Sequence, residues 1–149
     1  MHETYDKLDI ADEMLDGAIR AFLDSQQFFV ALNLAAVAEE LYGKAIRFNG
    51  GMNSQSSLIE LSKTIARLHG DFELNDSDLF KVSVMHKNAI KHLDTGEQLH
   101  IEIDVKDEAR SAIGCALTNR AQLDRQFTSN VQRFYEFGWT LSQAAAESS

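Results

Sequence analysis

The segment from Val84 to His100, VMHKNAIKHLDTGEQLH, gathers residue types that can transfer protons and bind phosphate. It contains three of the five histidines of the chain, together with two lysines and an asparagine. Histidine is the side chain that changes charge near neutral pH, and lysine is a compact cation that attracts phosphate groups. This segment is therefore the first place in the chain to look for a functional site.

Three of these residues could act together, and we take them as candidate catalytic residues. Asn88 and His92 are four positions apart, so they share one face of a predicted helix, and the long side chain of Lys87 can reach the same pocket. A histidine can transfer a proton, a cation can stabilise charge that develops on phosphate oxygens, and an amide can orient either group. These parts suffice for metal-independent cleavage of RNA through the 2′-hydroxyl. A solvated helix end, where cations are favoured by the helix dipole, is the alternative explanation.

Other polar residues near this group in the chain or on another helix are candidate binding residues: Glu39, His86 and Lys91. Glu39 shares a helical face with Leu32 and Ile46, so we expect it to be partly buried. If Glu39 lies beside His92, its carboxylate raises the pKa of that histidine.

The elements that must position these residues are helices. Apolar residues recur every three or four positions along most of the chain, and the absence of proline suits long helices. The residues 99–105, LHIEIDV, alternate like a short strand or an extended arm. The predicted fold is an all-α, single antiparallel bundle of five or six helices that forms one domain over residues 1–149. The predicted helices span about 4–24, 26–48, 57–69, 77–92, 106–126 and 129–145, and Asp104 is predicted to cap the fifth of them.

Apolar patterning also indicates which helices are central. The helix at 26–48 is apolar almost all round in its first half, which predicts the centre of the bundle. The last helix should pack through Val131, Phe134, Phe137 and Leu141. Its other aromatic residues, including Trp139, have helical spacing and only one nearby arginine, which favours a core or a dimer interface over a base-stacking surface.

Composition limits the functional classes. The net charge of −9 opposes any broad coating of nucleic acid, although a local basic site could still contact RNA. The lone cysteine, Cys115, forms no internal disulfide and is expected to be a buried, unreactive thiol in a reducing, cytoplasmic setting. The acidic start of the chain predicts no signal peptide, and no segment predicts a membrane span. Glu97 and His100 imitate half of a di-iron motif, but a single copy does not predict a bound metal, and no cofactor is expected.

Two stretches resemble the HEPN family of small all-α domains. KNAIKH (residues 87–92) is similar to the family signature of an arginine, a polar residue and a histidine, with Lys87 at the arginine position, Asn88 at the polar position and His92 at the histidine position. ALNLAAVAEELYGKAIRFNG (residues 31–50) resembles the alanine-rich central helix of the family. Lysine offers a point charge in place of the planar fork of a guanidinium, and this departure bears on catalysis more than on the fold.

The resemblance implies a homodimer in which the two motifs face each other across the interface. HEPN proteins include ribonucleases, toxins paired with nucleotidyltransferase antitoxins, and non-catalytic binding modules. Two hypotheses follow for this chain. The first is a non-catalytic helical dimer that binds a nucleotide or a nucleotidyltransferase-type partner protein within a toxin–antitoxin or related system. The alternative is a metal-independent endoribonuclease that uses His92.

Overall fold

The structure, a computed structural model, describes residues 1–68, 88, 90, 91 and 99–148, and within these residues it is a helical bundle without a strand. The all-α prediction is therefore confirmed for the described part of the chain. Most of the helix predicted at 77–92 lies outside the described residues. The five helices are α1 (Lys7–Leu23), α2 (Phe28–Phe48), α3 (Ser54–Leu68), α4 (Val105–Arg120) and α5 (Ser129–Glu147).

Side chains that cap the first turn set where three of the helices begin. Each capping oxygen accepts a hydrogen bond from a backbone N–H that has no partner inside its helix, which stabilises the first turn by about 1 kcal/mol. The predicted cap at Asp104 is confirmed. The caps are Asp6 with Leu8 N at 2.8 Å, Asp104 with Asp107 N at 3.0 Å, and Thr128 with Val131 N at 3.3 Å.

The central position predicted for α2 is confirmed, because this helix packs most extensively against α4 and α1. Small buried side chains allow the three helices to approach closely, and larger residues fill the remaining space between them. Each fully buried leucine, isoleucine or phenylalanine contributes about 1.5–3 kcal/mol to folding. The small residues of α2 in this core are Ala31, Ala35 and Ala38, and the larger core residues include Leu15, Ile19, Leu32, Tyr42 and Ile113.

Two glycines end α2 and turn the chain toward α3. Gly50 has a φ of 78°, which an L side chain rarely adopts. The N–H of Gly51 then donates to the Ile46 carbonyl at 2.9 Å, and a Cβ on Gly51 would lie 2.6 Å from Ile46 Cγ2. This tight turn delivers Asn53 to the side of α2, next to Gly43.

The last helix is only partly packed. Phe134 and Phe137 contact Phe22 of α1, with ring centroids 5.7 and 5.4 Å apart. The predicted packing of Leu141 is wrong, because every side chain from Trp139 to the end of α5 is exposed. Trp139 is therefore not in the core of this chain. The apolar residues of α5 continue past the point where α1 ends, so α1 does not cover the last turns of α5.

Three further predictions concern the segment before α4, the burial of Cys115 and the absence of a membrane span. Residues 99–104 form no strand and lead as an irregular segment to the Asp104 cap. Cys115, expected to be buried, is only partly buried. Among the helices that the structure describes, none is both long and apolar enough to cross a membrane.

Candidate functional site

A polar cleft of about 260 Å³ opens where α2, the start of α3, the end of α4 and residues 88 and 91 come together. Its walls carry amides and charged groups of both signs, and among the described residues that line it the only aliphatic side chain is that of Ala36. We call it the polar cleft. The described residues of its lining are Ala36, Glu39, Glu40, Gly43, Lys44, Arg47, Asn53, Gln55, Asn88, Lys91 and Asn119.

Two buried amides on either side of Gly43 fix the floor of the polar cleft. Asn119 Nδ2 donates to the Glu39 carbonyl at 3.2 Å, and Asn53 Nδ2 donates to the Gly43 carbonyl at 3.3 Å. Asn53 Oδ1 accepts from the Ser56 N–H at 2.9 Å, which begins α3. These hydrogen bonds tie α4 and the start of α3 to the backbone of α2 at the floor of the cleft.

The absence of a side chain at Gly43 makes this arrangement sterically feasible. A Cβ at this position would lie 3.1 Å from Asn53 Nδ2 and 3.3 Å from Asn119 Nδ2. Both distances are tighter than ordinary van der Waals contact, so an alanine would displace one or both amides. Gly43 thus allows both amides to approach the α2 backbone.

Positive charge lies around the rim. Arg47 and Lys91 are exposed and form no salt bridge with any residue that the structure describes. Lys44 pairs with Glu40 at 2.5 Å, and both side chains are well exposed. An exposed pair of this kind contributes little stability, so Lys44 can exchange Glu40 for a ligand anion at small cost. The rim can therefore present three cations to a bound group.

Three residues predicted from the sequence line this cleft. Glu39 is buried, as expected from its helical face, whereas Asn88 and Lys91 are exposed. The Lys91 N–H donates to the Asn88 carbonyl at 2.9 Å, as in the last turn of a helix. Glu39 and the segment of Asn88 are thus brought together although they are far apart in the chain.

The other predicted site residues lie outside the described part of the chain. These are the candidate catalytic residues Lys87 and His92 and the candidate binding residue His86. Asn88 and Lys91 flank them in sequence and line the polar cleft. The contact of His92 with Glu39, and the raised histidine pKa that would follow from it, stay predictions.

Apart from Glu39, sequence reasoning missed the residues that α2, α3 and α4 contribute. Lys44 lies four positions after Glu40 and forms an exposed ion pair with it. Arg47 follows Lys44 by three positions and therefore shares its helical face. Asn119 is a polar residue next to the apolar end of α4, and a buried amide there must find hydrogen-bond partners. Those two signals could have extended the predicted site.

A second polar cluster centres on Asp12 and does not line the polar cleft. Its Oδ1 accepts from the Tyr42 hydroxyl at 2.5 Å and from Arg120 Nε at 3.1 Å. Its Oδ2 accepts from Arg125 Nε at 2.9 Å and Nη2 at 2.6 Å, and Arg125 also donates to Asp9. The cluster joins α1, α2 and α4 to the segment that precedes α5.

The hydrogen bonds of this cluster shift two pKa values in opposite directions. Burial opposes ionisation of Asp12, but hydrogen bonds from Tyr42, Arg125 and Arg120 outweigh it and hold the pKa of the Asp12 carboxyl below its ordinary value. Burial, followed by the hydrogen bond to Asp12, raises the pKa of the Tyr42 hydroxyl. Because every oxygen of Asp12 is occupied by an internal donor, we assign this cluster a structural role.

Comparison with known protein families, with curated proteins and with solved structures finds no match to this chain. The site must therefore be interpreted from its own chemistry. That chemistry is a floor of hydrogen-bonded amides surrounded by two carboxylates and three cations. Amides can donate hydrogen bonds to sugar hydroxyls and base edges and can also accept hydrogen bonds from them. The cations attract phosphate oxygens.

Proposed function

We propose that the chain is a HEPN-like helical dimer whose polar cleft binds a nucleotide or one nucleotide of an RNA strand. The proposal treats it as a non-catalytic binding module of a toxin–antitoxin or nucleotidyltransferase-linked system. The observation that carries it is the assembly of Glu39, Asn88 and Lys91, which the sequence singles out, with Arg47 and two buried amides in one cleft.

The charges of the cleft support a phosphate-bearing ligand. Arg47 offers a planar guanidinium that can bind two phosphate oxygens, and Lys91 adds a point charge to the same cleft. The net charge of −9 works against extended contact with a polyanion. Binding should therefore involve only the few phosphates next to the cleft, and the acidic remainder of the surface should repel the rest of a long RNA.

The size of the cleft supports a single nucleotide over a double helix. Its volume of about 260 Å³ is near the lower limit of small-molecule sites, which is about 300 Å³. The amides of Asn53, Gln55 and Asn119 line the interior, where a base or a ribose would lie. Polar groups of this kind fix the orientation of a ligand that the cations attract.

The test is the binding of a short, single-stranded, fluorescently labelled oligoribonucleotide, measured by anisotropy. We expect Arg47→Ala and Lys91→Ala each to weaken binding by about tenfold or more, because each removes a charge-assisted contact. The matched control is Arg110→Ala, which removes the same charge from an exposed pair on α4 outside the cleft. Equal weakening by all three variants would show non-specific attraction and contradict the proposal.

A metal-independent endoribonuclease is the second candidate, favoured by the spacing of Lys87, Asn88 and His92 and by the position of Asn88 in the cleft wall. In this reaction His92 would act as general acid or base, and Lys87 would stabilise charge on the phosphate. Cleavage of a structured RNA mixture in excess EDTA tests it. Activity that is lost in His92→Ala would establish catalysis, whereas binding without cleavage by the wild type would support the binding module.

A further inference from the structure

The residues of α2 that line the polar cleft form a stripe whose charge changes sign along the helix. They recur at spacings of three and four positions, which places them on one helical face. The acidic residues of the stripe, Glu39 and Glu40, come first, and the basic residues, Lys44 and Arg47, follow after Gly43. The cleft therefore has an acidic end and a basic end.

The two ends of the stripe are far enough apart to contact different parts of one nucleotide. Glu39 and Arg47 are eight positions apart in α2, which corresponds to about 12 Å along a helix that rises about 1.5 Å per residue. This separation is of the same order as the distance from the phosphate to the hydrogen-bonding edge of the base in a nucleoside 5′-monophosphate. One nucleotide can thus place its phosphate at one end and its base at the other.

We propose that the polar cleft selects a guanine nucleotide, with its phosphate at Arg47 and the Watson–Crick edge of its base at Glu39. The assignment rests on the proposed function and names the base that the cleft recognises. Charge opposes the reverse orientation, because a phosphate at the acidic end would face two carboxylates. At the basic end, the exposed guanidinium of Arg47 can bind two phosphate oxygens.

The carboxylate of Glu39 favours guanine because a carboxylate only accepts hydrogen bonds. Guanine presents two neighbouring donors, N1–H and the N2 amino group, which match the two oxygens of a carboxylate. Adenine and cytosine place an accepting ring nitrogen beside their amino group, and uracil places a carbonyl oxygen on each side of its N3–H. With any of these three bases, one carboxylate oxygen would face another acceptor.

Burial makes Glu39 the residue that discriminates between bases. Glu39 is 7% exposed, so an acceptor placed against it would lose hydration without gaining a donor. Glu40 is exposed and pairs with Lys44. A carboxylate has about four acceptor sites, so Glu39 can retain an internal partner and still accept from guanine.

Paired changes in ligand and protein test the base contact, with dissociation constants measured by NMR titration. Inosine 5′-monophosphate is guanosine 5′-monophosphate without the N2 amino group, so the wild type should bind it about tenfold more weakly, through the loss of one charge-assisted hydrogen bond. In Glu39→Gln, which has nearly the same size, this preference should fall to about threefold or less, because an amide is uncharged and offers one acceptor. Glu40→Gln is the matched control and should keep the full preference.

The phosphate end is tested in the same way. Guanosine lacks the phosphate, so the wild type should bind it about tenfold more weakly than guanosine 5′-monophosphate. Arg47→Ala should lose most of this difference while keeping the preference for guanosine monophosphate over inosine monophosphate. Glu39→Gln should show the converse, with the phosphate effect intact. An Arg47→Ala variant that loses the base preference as well would contradict the orientation.

The possible results separate the choice of base from the existence of a nucleotide site. Saturable binding of guanosine and inosine monophosphates with equal affinity by the wild type overturns the role of Glu39 and leaves the nucleotide site standing. This comparison needs no variant, so it holds even if Glu39→Gln does not fold. A guanine preference that survives unchanged in a folded Glu39→Gln also overturns the role of Glu39. The absence of binding by any nucleotide overturns both proposals.

Discussion

At the scale of single residues, Asp12 connects more of the molecule than any motif suggested by the sequence. Its two oxygens accept from Tyr42 on α2, from Arg120 on α4 and from Arg125 beyond α4. Arg120 is almost completely buried, and Arg125 is largely shielded. Charges in such a setting stabilise a fold only while their partner is present, because a buried cation without an anion is costly.

We therefore expect Asp12→Asn to lower the free energy of unfolding by about 3 kcal/mol, the lower end of the cost of breaking a buried ion pair, since Asp12 is partly exposed. Urea denaturation measures the change. The control is Asp107→Asn, which disrupts the exposed pair with Arg110 and should cost less than about 1 kcal/mol. Similar costs for the two variants would contradict the structural role of the cluster.

The same carboxylate predicts a pH dependence. Because the folded pKa of Asp12 is lowered, its stabilisation is present above the unfolded pKa of about 3.9 and is lost as pH falls through the folded value. The difference in unfolding free energy between wild type and Asp12→Asn should thus be constant from about pH 5 to 7 and shrink below about pH 4. A difference that grows with acidification would contradict the assignment.

The raised pKa of Tyr42 makes the stability of the fold depend on pH in the alkaline range. Its folded pKa exceeds the unfolded value of about 10, so its contribution is present below that value and lost as pH rises further.

At the scale of elements, the meeting of α2, α3 and α4 at Gly43 determines the shape of the polar cleft. The side-chain amides of Asn53 and Asn119 lie against Gly43 and donate to backbone carbonyls of α2. Any side chain at residue 43 would therefore displace these two amides. Glycine inside a helix normally costs stability relative to alanine. At Gly43 the packing of neighbouring helices outweighs that cost.

The two glycines of α2 and α4 give a matched pair of substitutions. Gly43→Ala should destabilise the fold by about 1–3 kcal/mol through steric overlap with Asn53 and Asn119. Gly114→Ala, where an added Cβ meets nothing within 4 Å, should stabilise it by about 0.5–1 kcal/mol through helix propensity. Thermal or urea unfolding measures both, and a stabilising Gly43→Ala would contradict the close packing at this position.

Local sequence signals predict helices and caps well because their causes are local. Asp104 precedes a run of helix-forming residues and caps α4 as predicted, and the apolar first half of α2 predicts its central position. Apolar spacing gives no information on where a neighbouring helix ends, so it predicted burial for Leu141, which is exposed. The five-helix or six-helix choice depends on residues 77–92, most of which are outside the described chain.

The candidate site could be predicted only in part, because local sequence signals identify some of its residues and tertiary contacts bring in the others. Glu39, Asn88 and Lys91 carry chemistry that is unusual for their surroundings, and all three line the polar cleft. Asn53 and Asn119 matter because the tertiary fold brings both amides onto Gly43, and no spacing in the sequence encodes that contact. Tertiary contacts between distant segments define the floor, so the floor could not be anticipated, whereas Glu39, Asn88 and Lys91 could.

At the scale of the whole molecule, a chain with a net charge of −9 presents three cations at the polar cleft. These cations attract a phosphate group, whereas the acidic remainder of the surface repels it. Salt screens attraction and repulsion alike, with a screening length of about 10 Å at 0.1 M ionic strength. The proposed phosphate contacts release bound counterions, so binding of the proposed ligand should weaken as salt is added.

We expect RNA binding by the polar cleft to weaken with added salt. For single-stranded RNA, the slope of log K against log salt concentration should be about −0.7 per phosphate contact. Arg47→Ala should therefore make the slope shallower by about 0.7 to 1.4, for the loss of one or two contacts. Anisotropy titrations of the wild type and of Arg47→Ala, between about 50 and 500 mM salt, give the two slopes. Equal slopes for the two proteins would contradict a phosphate contact by Arg47.

Amide-resolved NMR shows whether the polar cleft is the ligand site. Titration of labelled protein with each of the four ribonucleoside 5′-monophosphates and with a short oligoribonucleotide reports which residues respond. We expect saturable shifts of the Gly43 backbone amide and of the Asn53 and Asn119 side-chain amides, and we expect these shifts to be reduced in Arg47→Ala. Saturable binding that leaves these three groups unshifted, or no binding to any of these ligands, would contradict the proposed ligand site.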